Sequence, residues 1–237
     1  MEHDNTPHNE LRVAIIVAGG SGTRFGADVP KQFVLLDGKP VMMHTISKFA
    51  AAGAEIIVVL PSEQFDTWHD LCARHHFSHK HRVVAGGATR FHSVKNAVDA
   101  LVDVGDDTLI AVHDAVRPLV TPALIEDAYR QAALHGSAIP YVPATDSIRL
   151  LDADGGSNVL DRSRVALIQT PQVFRADIIK RAYRQPYNSI FTDDASVAES
   201  ILANDKRRLR LIDGETTNIK ITYPKDLALA EHFMRQQ

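Results

Sequence analysis

RVAIIVAGGSGTRFGADVPKQFVLL, residues Arg12–Leu36, decides how the rest of the chain is read. Val13–Val17 is an unbroken apolar run, the pattern of a strand covered on both faces. The run opens at once into glycines, with Arg24 and Lys31 close behind. Ligands of open parallel sheets sit beyond the carboxyl ends of the strands, so this loop stands where a ligand belongs. Glycine lets backbone N–H groups approach closely, and the turn that follows favours anions. A tight turn with no ligand is the alternative reading.

Two familiar phosphate loops fail on spacing. In Gly20-Ser21-Gly22-Thr23-Arg24-Phe25-Gly26 the third glycine comes one residue too late for GxGxxG, and Leu60-Pro61 stands where the second strand would end on an acid. The GxxxxGK[ST] loop is absent because Lys31 follows Pro30. What is left is a glycine loop carrying two cations, which suits a triphosphate whose terminal part departs as pyrophosphate.

Outward from the loop, strands and helices alternate. A helix is expected over Val41–Ala52 with Gly53 as its stop, then a strand at Glu55–Leu60. Ser62 is the expected N-cap of a helix carrying Phe65, Trp68, Leu71 and Cys72. A strand at Arg82–Ala85 leads to a helix with Val94, Ala97, Val98 and Leu101 on one face, and Thr108–His113 is the next strand. Thr121-Pro122 reads as N-cap and first helical residue of a helix stopped by Gly136, before a strand at Ser137–Val142. Further helices are expected near Ala176–Arg184, Ala195–Ala203 and after Pro224, with strands at Leu209–Ile212 and Asn218–Thr222. The rhythm fails over residues 143–174, where two extended segments flank Asp154-Gly155-Gly156 and predict a projecting β-hairpin arm. The pattern predicts an α/β, Rossmann-like, doubly wound and mostly parallel sheet in a single domain, residues 1–237, with residues 1–11 a flexible tail.

Composition narrows the function. The 237 residues are 45% hydrophobic and 23% charged, enough to bury a sizeable core. A net charge of −3 and no basic run longer than Lys206-Arg207-Arg208 argue against nucleic acid as a partner. One cysteine, Cys72, excludes an internal disulfide and CxxC metal sites, and its apolar stripe points to a buried structural thiol. No stretch approaches the roughly 18 apolar residues of a membrane span. The polar start is unlike a secretory signal, so a cytoplasmic location is expected. His113, ending an apolar strand, is expected to be structural and hydrogen-bonded. The histidines of residues 75–81 have no interleaved carboxylate and read as a solvated loop.

AGGSGTRFGADVPKQF resembles the signature loop of the sugar-phosphate nucleotidylyltransferases. Its Gln32-Phe33 form is similar to the branch of 2-C-methyl-D-erythritol 4-phosphate cytidylyltransferases. GGATRFHSV (Gly86–Val94), VHDAVRP (Val112–Pro118), LDRSRVALIQTPQVF, TDDAS (Thr192–Ser196) and NIKITYPKDL resemble further segments of that branch, in order. The resemblance covers roughly residues 12–233.

It implies attack of a polyol-phosphate oxygen on the α-phosphorus of CTP, with pyrophosphate leaving and Mg2+ or another divalent cation bridging phosphates. A phosphate monoester is already ionised, its second pKa being about 6, so no strong general base is required. The resemblance makes Arg24, Lys31 and Lys220 catalytic. It gives CTP to Ala18, Gly19, Gly20, Ser21, Gly22, Gly86, Gly87, Ser93, Asp114 and Ala115, with Gly86, Gly87 and Ser93 selecting the pyrimidine. Arg90 is expected to help fix that segment. The polyol phosphate falls to Asp114, Arg117, Ser147, Arg162, Thr170 and Thr192, and the metal to Asp114. Thr217 stands where family members can carry an Asp, which leaves a second carboxylate ligand open. The arm of one subunit is expected to reach the other's site in a homodimer. Ribitol-5-phosphate cytidylyltransferase, an enzyme using another nucleotide, and a non-catalytic nucleotide-binding module are the competing readings.

Overall fold

The computed structural model describes residues 11–19 and 29–236. Gly20, Ser21, Gly22 and Arg24 lie outside the described residues, as does the expected tail except for Leu11. The order begins with β1 (Arg12–Val17), the small hairpin β2 (Leu35–Leu36) and β3 (Lys39–Pro40), then α1 (Val41–Ala51). Next come β4 (Glu55–Leu60), α2 (Phe65–Arg74), β5 (Arg82–Ala85), α3 (Arg90–Asp99) and β6 (Leu109–Asp114). After α4 (Pro122–His135) and β7 (Ser137–Pro143) the pair β8 (Ile148–Leu151) and β9 (Ser157–Leu160) departs from the sheet. The chain returns through β10 (Ala166–Ile168), β11 (Gln172–Arg175), α5 (Ala176–Ala182), α6 (Asp194–Asn204), β12 (Leu211–Asp213) and α7 (Pro224–Met234).

Strand β1 is central because neither of its faces can be exposed. It pairs in parallel with β4 and β6, and β5 extends the parallel run from β4. Ala14 and Ile16 pack with Ile46, Phe49, Ile125 and Tyr129, while Val13 and Ile15 pack with Phe91, Val94, Ile178 and Ile179. The two-residue period of a strand sends alternate side chains into two cores, which is why the sequence reads as one apolar run. The chain doubles the sheet further with β7, and β12 runs parallel to it. Strand β11 lies antiparallel between β6 and β7, and β10 is also antiparallel to β7. The sheet is thus mostly parallel with an antiparallel insertion.

Thr121 caps α4, its hydroxyl accepting the Leu124 N–H at 3.1 Å, and Gly136 ends it at φ 85°. Four expectations need correction. Ser62 does not cap α2: it opens a 3-10 turn, closed by Gln64 N–H donating to Pro61 O at 2.9 Å, and the helix starts at Phe65. The strand expected from Leu209 begins at Leu211. Asn218–Thr222 is not a strand, because the Asn218 and Ile219 N–H groups turn back on Glu215 and Thr217, and the Ile221 N–H bonds Val116 O in the loop after β6 rather than a strand. The arm is shorter than residues 143–174. Leu167 and Ile168 pair with Val142 and Tyr141, and Val173 and Phe174 are buried within the sheet. Only the β8–β9 hairpin projects, with Leu151 and Val159 leaving 79% and 76% of their surface uncovered in this chain.

Candidate active site

The carboxyl ends of β1 and β6, the Gly86–Gly87 turn after β5 and the Lys31–Phe33 turn enclose a pocket of about 350 Å³. Ala18, Gly19, Lys31, Gly87, Arg90, Asp114 and Lys220 are among its walls. Among the described lining residues, three cations face one carboxylate, a balance suited to a polyanion. Each wall is braced from behind. Gln32, which the sequence reading left without a role, is buried and donates from Nε2 to Ala18 O at 3.2 Å and to Gln64 Oε1 at 2.7 Å. Phe33 stacks on Trp68, with ring centroids 6.1 Å apart. These contacts seat the turn that carries Lys31.

Ser93 closes the opposite wall. Its buried hydroxyl accepts the Gly87 N–H at 3.0 Å, and a side chain at residue 87 would put its Cβ 2.5 Å from the Cβ of His92. The turn therefore excludes any side chain where it passes over α3. Thr89 caps α3 and also contacts His92 Nδ1.

Asp114 ends β6 with its carboxylate 2.9 Å from Lys220 Nζ and 3.4 Å from Arg117 Nε through Oδ2, and 3.9 Å from Arg90 Nε through Oδ1. Burial alone would raise its pKa. Lys220, Arg90 and Arg117 outweigh that and hold the carboxyl well below the usual carboxylate range. Asp114 is therefore charged whenever the protein is folded near neutrality.

Arg90 is gripped from the other side. Its Nη1 and Nη2 donate to the two oxygens of Asp194 at 2.9 and 2.7 Å, and Tyr183 donates its hydroxyl to Asp194 at 2.6 Å. The Asp194 side chain has no solvent exposure. This bidentate pair fixes the plane of the guanidinium at the pocket. Asp194 was missed as a site residue, although it lies two positions beyond Thr192 in the TDDAS segment.

His113 is fully buried beside Asp114. Its Nε2 lies 3.1 Å from Arg117 O, which can only accept, so Nδ1 accepts the Thr170 hydroxyl at 3.0 Å. Thr170 Oγ1 in turn accepts the Asp114 N–H at 3.2 Å. Burial pushes the His113 pKa down to about 4, against the smaller opposing effects of Arg117 O and Asp114. Unfolded chains protonate this histidine below its usual value near 6.5 while the folded chain does not, so stability falls with pH between about 6.5 and 4. We expect His113 alone to remove roughly 2 kcal/mol between pH 7 and pH 5. Urea midpoints at both pH values, compared with those of His113→Asn, check this; an unchanged pH slope in the variant contradicts it.

The remaining positions divide. Ala115 is buried, donating to Val17 O at 3.0 Å and accepting Thr45 Oγ1 at 2.9 Å. Arg117 donates from Nη1 to Asn218 O at 2.7 Å, tying the Lys220 segment to the loop that follows β6. Thr170 lies behind Asp114 with its hydroxyl engaged in both directions. Thr192 is exposed just before α6, and Ser147 and Arg162 are exposed on the arm, where Arg162 donates to Thr145 O; none of the three lines the pocket of its own chain. Among the described residues no helix is long and apolar enough to cross a membrane.

A doubly wound sheet whose carboxyl edge carries a glycine-lined, cation-rich pocket with one charged aspartate is the framework of a nucleotidyltransferase. The family model described as 2-C-methyl-D-erythritol 4-phosphate cytidylyltransferase matches residues 12–236. The chain belongs to that family. It is 49% identical over 222 residues to the protein of that name from Porphyromonas gingivalis, covering 94% of this chain and 97% of the relative. The Bacteroides thetaiotaomicron protein of the same name is 48% identical over 217 residues, covering 91% and 95%. Among solved structures, the 4-diphosphocytidyl-2C-methyl-D-erythritol synthase of Anaerococcus prevotii superposes with a TM-score of 0.79 at 25% identity, covering 95% and 99% of the two chains. The 2-C-methyl-D-erythritol 4-phosphate cytidylyltransferase of Thermus thermophilus gives 0.74 at 27% identity, covering 94% and 98%.

Proposed function

We propose that this enzyme transfers the cytidylyl group of CTP to 2-C-methyl-D-erythritol 4-phosphate, releasing pyrophosphate, in the cytoplasm. The observation that carries the reading is Asp114 held between Lys220, Arg117 and Arg90 at the floor of a glycine-walled pocket. Family membership supplies the base and the acceptor.

The chemistry asked of the protein is positioning and charge neutralisation, since the acceptor phosphate is already an anion. Lys31, with Arg24, contacts the triphosphate and the departing pyrophosphate. Gly19 through Gly22 offer backbone N–H groups. Gly86, Gly87 and Ser93 define a narrow wall that admits a pyrimidine. Lys220 meets the acceptor's phosphate near the α-phosphorus, and Asp114 orients Lys220 while facing the polyol hydroxyls with Arg117.

Asp114 also suits magnesium. Among the described residues its Oδ1 has only the 3.9 Å contact with Arg90, and no group of three metal-ligating side chains stands together. That fits an ion that binds one carboxylate and takes its other ligands from phosphates and water. Asp114 would hold the ion, which would supply charge neutralisation for the triphosphate and the leaving pyrophosphate.

The exposed apolar arm supports a homodimer in which Arg162 and Ser147 serve the partner's site. Mixing Arg162→Ala subunits with Lys220→Ala subunits is then expected to restore activity, because one of the two sites in each mixed dimer has both side chains. Activity no higher than that of the separate variants rules out contribution in trans.

The test of the reaction itself is pyrophosphate release with CTP and magnesium. Methylerythritol 4-phosphate is expected to be used in strong preference to ribitol 5-phosphate; the reverse preference moves the acceptor, and silence with both removes the assignment.

A further inference from the structure

We propose that Gln169 is a positioning residue for Lys220, latching the irregular segment that carries it. The proposal rests on the reading of Lys220 as the cation that meets the acceptor phosphate. Lys220 follows β12 in a stretch with no strand or helix of its own, so its place over Asp114 depends on the anchors of residues 214–219.

Among the described residues Gln169 supplies three of those anchors, more than any other single residue. Its Oε1 accepts the Glu215 N–H at 3.1 Å and Asn218 Nδ2 at 3.3 Å, while Nε2 donates to Glu215 O at 2.8 Å. The backbone groups of Glu215 fix which end of the amide is which. Asn218, fully buried, passes the restraint on by donating to Thr170 O at 2.9 Å, and its own carbonyl accepts Arg117 at 2.7 Å. Gly214 shows independently how closely the segment is held: a Cβ there would stand 2.6 Å from Gln169 Oε1 and 2.9 Å from Tyr141 O. A carboxamide accepts twice at one end and donates at the other without needing a proton, which an ionised carboxylate of the same shape cannot do. Glutamate loses the donor, and leucine loses all three bonds and leaves the part-buried Glu215 N–H without its side-chain acceptor.

The consequence is kinetic. A displacement of about 1 Å in a reacting group costs up to about 10²-fold in rate, so Gln169→Leu is expected to lower kcat by roughly 10–100-fold. The Gly86–Ser93 wall and the Lys31 turn, to which most of CTP is assigned, take no hydrogen bond from Gln169, so the KM for CTP is expected to change less than kcat.

The experiment measures kcat for the wild type, Gln169→Leu, Lys220→Ala and the double variant, with hydrogen exchange of the full chain as a readout apart from activity. The double variant is expected to be no slower than Lys220→Ala, and the Glu215 and Asn218 amides to exchange faster in Gln169→Leu. Should Gln169→Leu fail to fold, Gln169→Glu takes its place with a smaller loss expected. Multiplicative losses in the double variant, an unchanged kcat, or unchanged exchange at Glu215 overturns the proposal. Lys220→Ala turning over at the wild-type rate overturns it too, by removing the reading beneath it, and the exchange data then still report whether the latch exists.

Discussion

Asp114→Asn is expected to lower kcat/KM by roughly 10²–10³, the scale on which removing one preorganised charge at a reacting centre is felt. The substitution keeps the shape of the side chain and removes its charge. Lys220 Nζ, 2.9 Å away, and Arg117 Nε, 3.4 Å away, then lose the anion that draws them together. Lys220, whose side chain is 42% exposed, is free to turn toward solvent, and the best-placed oxygen for magnesium is replaced by a weaker donor. The loss should appear mainly in kcat and in the magnesium concentration needed for half-maximal rate. Arg90 keeps its pairing with Asp194, so the fold should survive, and an unchanged thermal midpoint would show that the rate is lost at the site itself. A variant within about twofold of wild type at saturating magnesium would contradict the role given to Asp114.

The largest effect on stability is expected from Asp194→Ala. The Asp194 side chain is wholly buried, while its partner Arg90 reaches the pocket. Removing it leaves the Arg90 guanidinium without its bidentate partner and the Tyr183 hydroxyl without an acceptor. Breaking one half of a fully buried pair costs about 3–5 kcal/mol; the Arg90 side chain is 28% exposed at the pocket and keeps Asp114 nearby, so the loss is expected at or below the low end of that range. Urea unfolding is the appropriate measurement. The paired change Asp194→Leu with Arg90→Leu should be milder than Asp194→Ala alone, since no charge is stranded. A double variant less stable than the single one would show that the ion pair is not the source of the loss.

Much of the fold was legible because the sequence states it locally. The apolar run at Val13–Val17 needs two covered faces, and Thr121, Pro122 and Gly136 mark both ends of α4 with side-chain and backbone chemistry. The errors fall where tertiary pairing overrides local pattern. Strand β11 reads as part of an arm because nothing within Gln172–Arg175 says that it will be inserted antiparallel between β6 and β7. Asn218–Thr222 alternates like a strand, yet its backbone is spent on turns that bring Lys220 to Asp114.

The site shows the same division. Residues that would touch a ligand lie in motifs with a recognisable spacing, as with Lys31, Gly87 and Asp114. Those that brace them do not announce themselves. Asp194 is one of two adjacent aspartates, and only the structure tells the buried partner of Arg90 from Asp193, which caps α6. Gln169 and Asn218 are single amides whose partners lie 46 and 48 residues away in the chain. Long-range polar contacts of this kind leave no periodicity to read.

The most direct measurement follows the acceptor's oxygen. Methylerythritol 4-phosphate carrying 18O in its phosphate is incubated with CTP, magnesium and the enzyme, and the products are examined by 31P NMR and mass spectrometry. Attack by the acceptor phosphate on the α-phosphorus predicts all of the label in a new diphosphate joining cytidine to the polyol, and pyrophosphate that carries none. Formation of CMP without a diphosphate product, or label in the released pyrophosphate, would contradict cytidylyl transfer at this site.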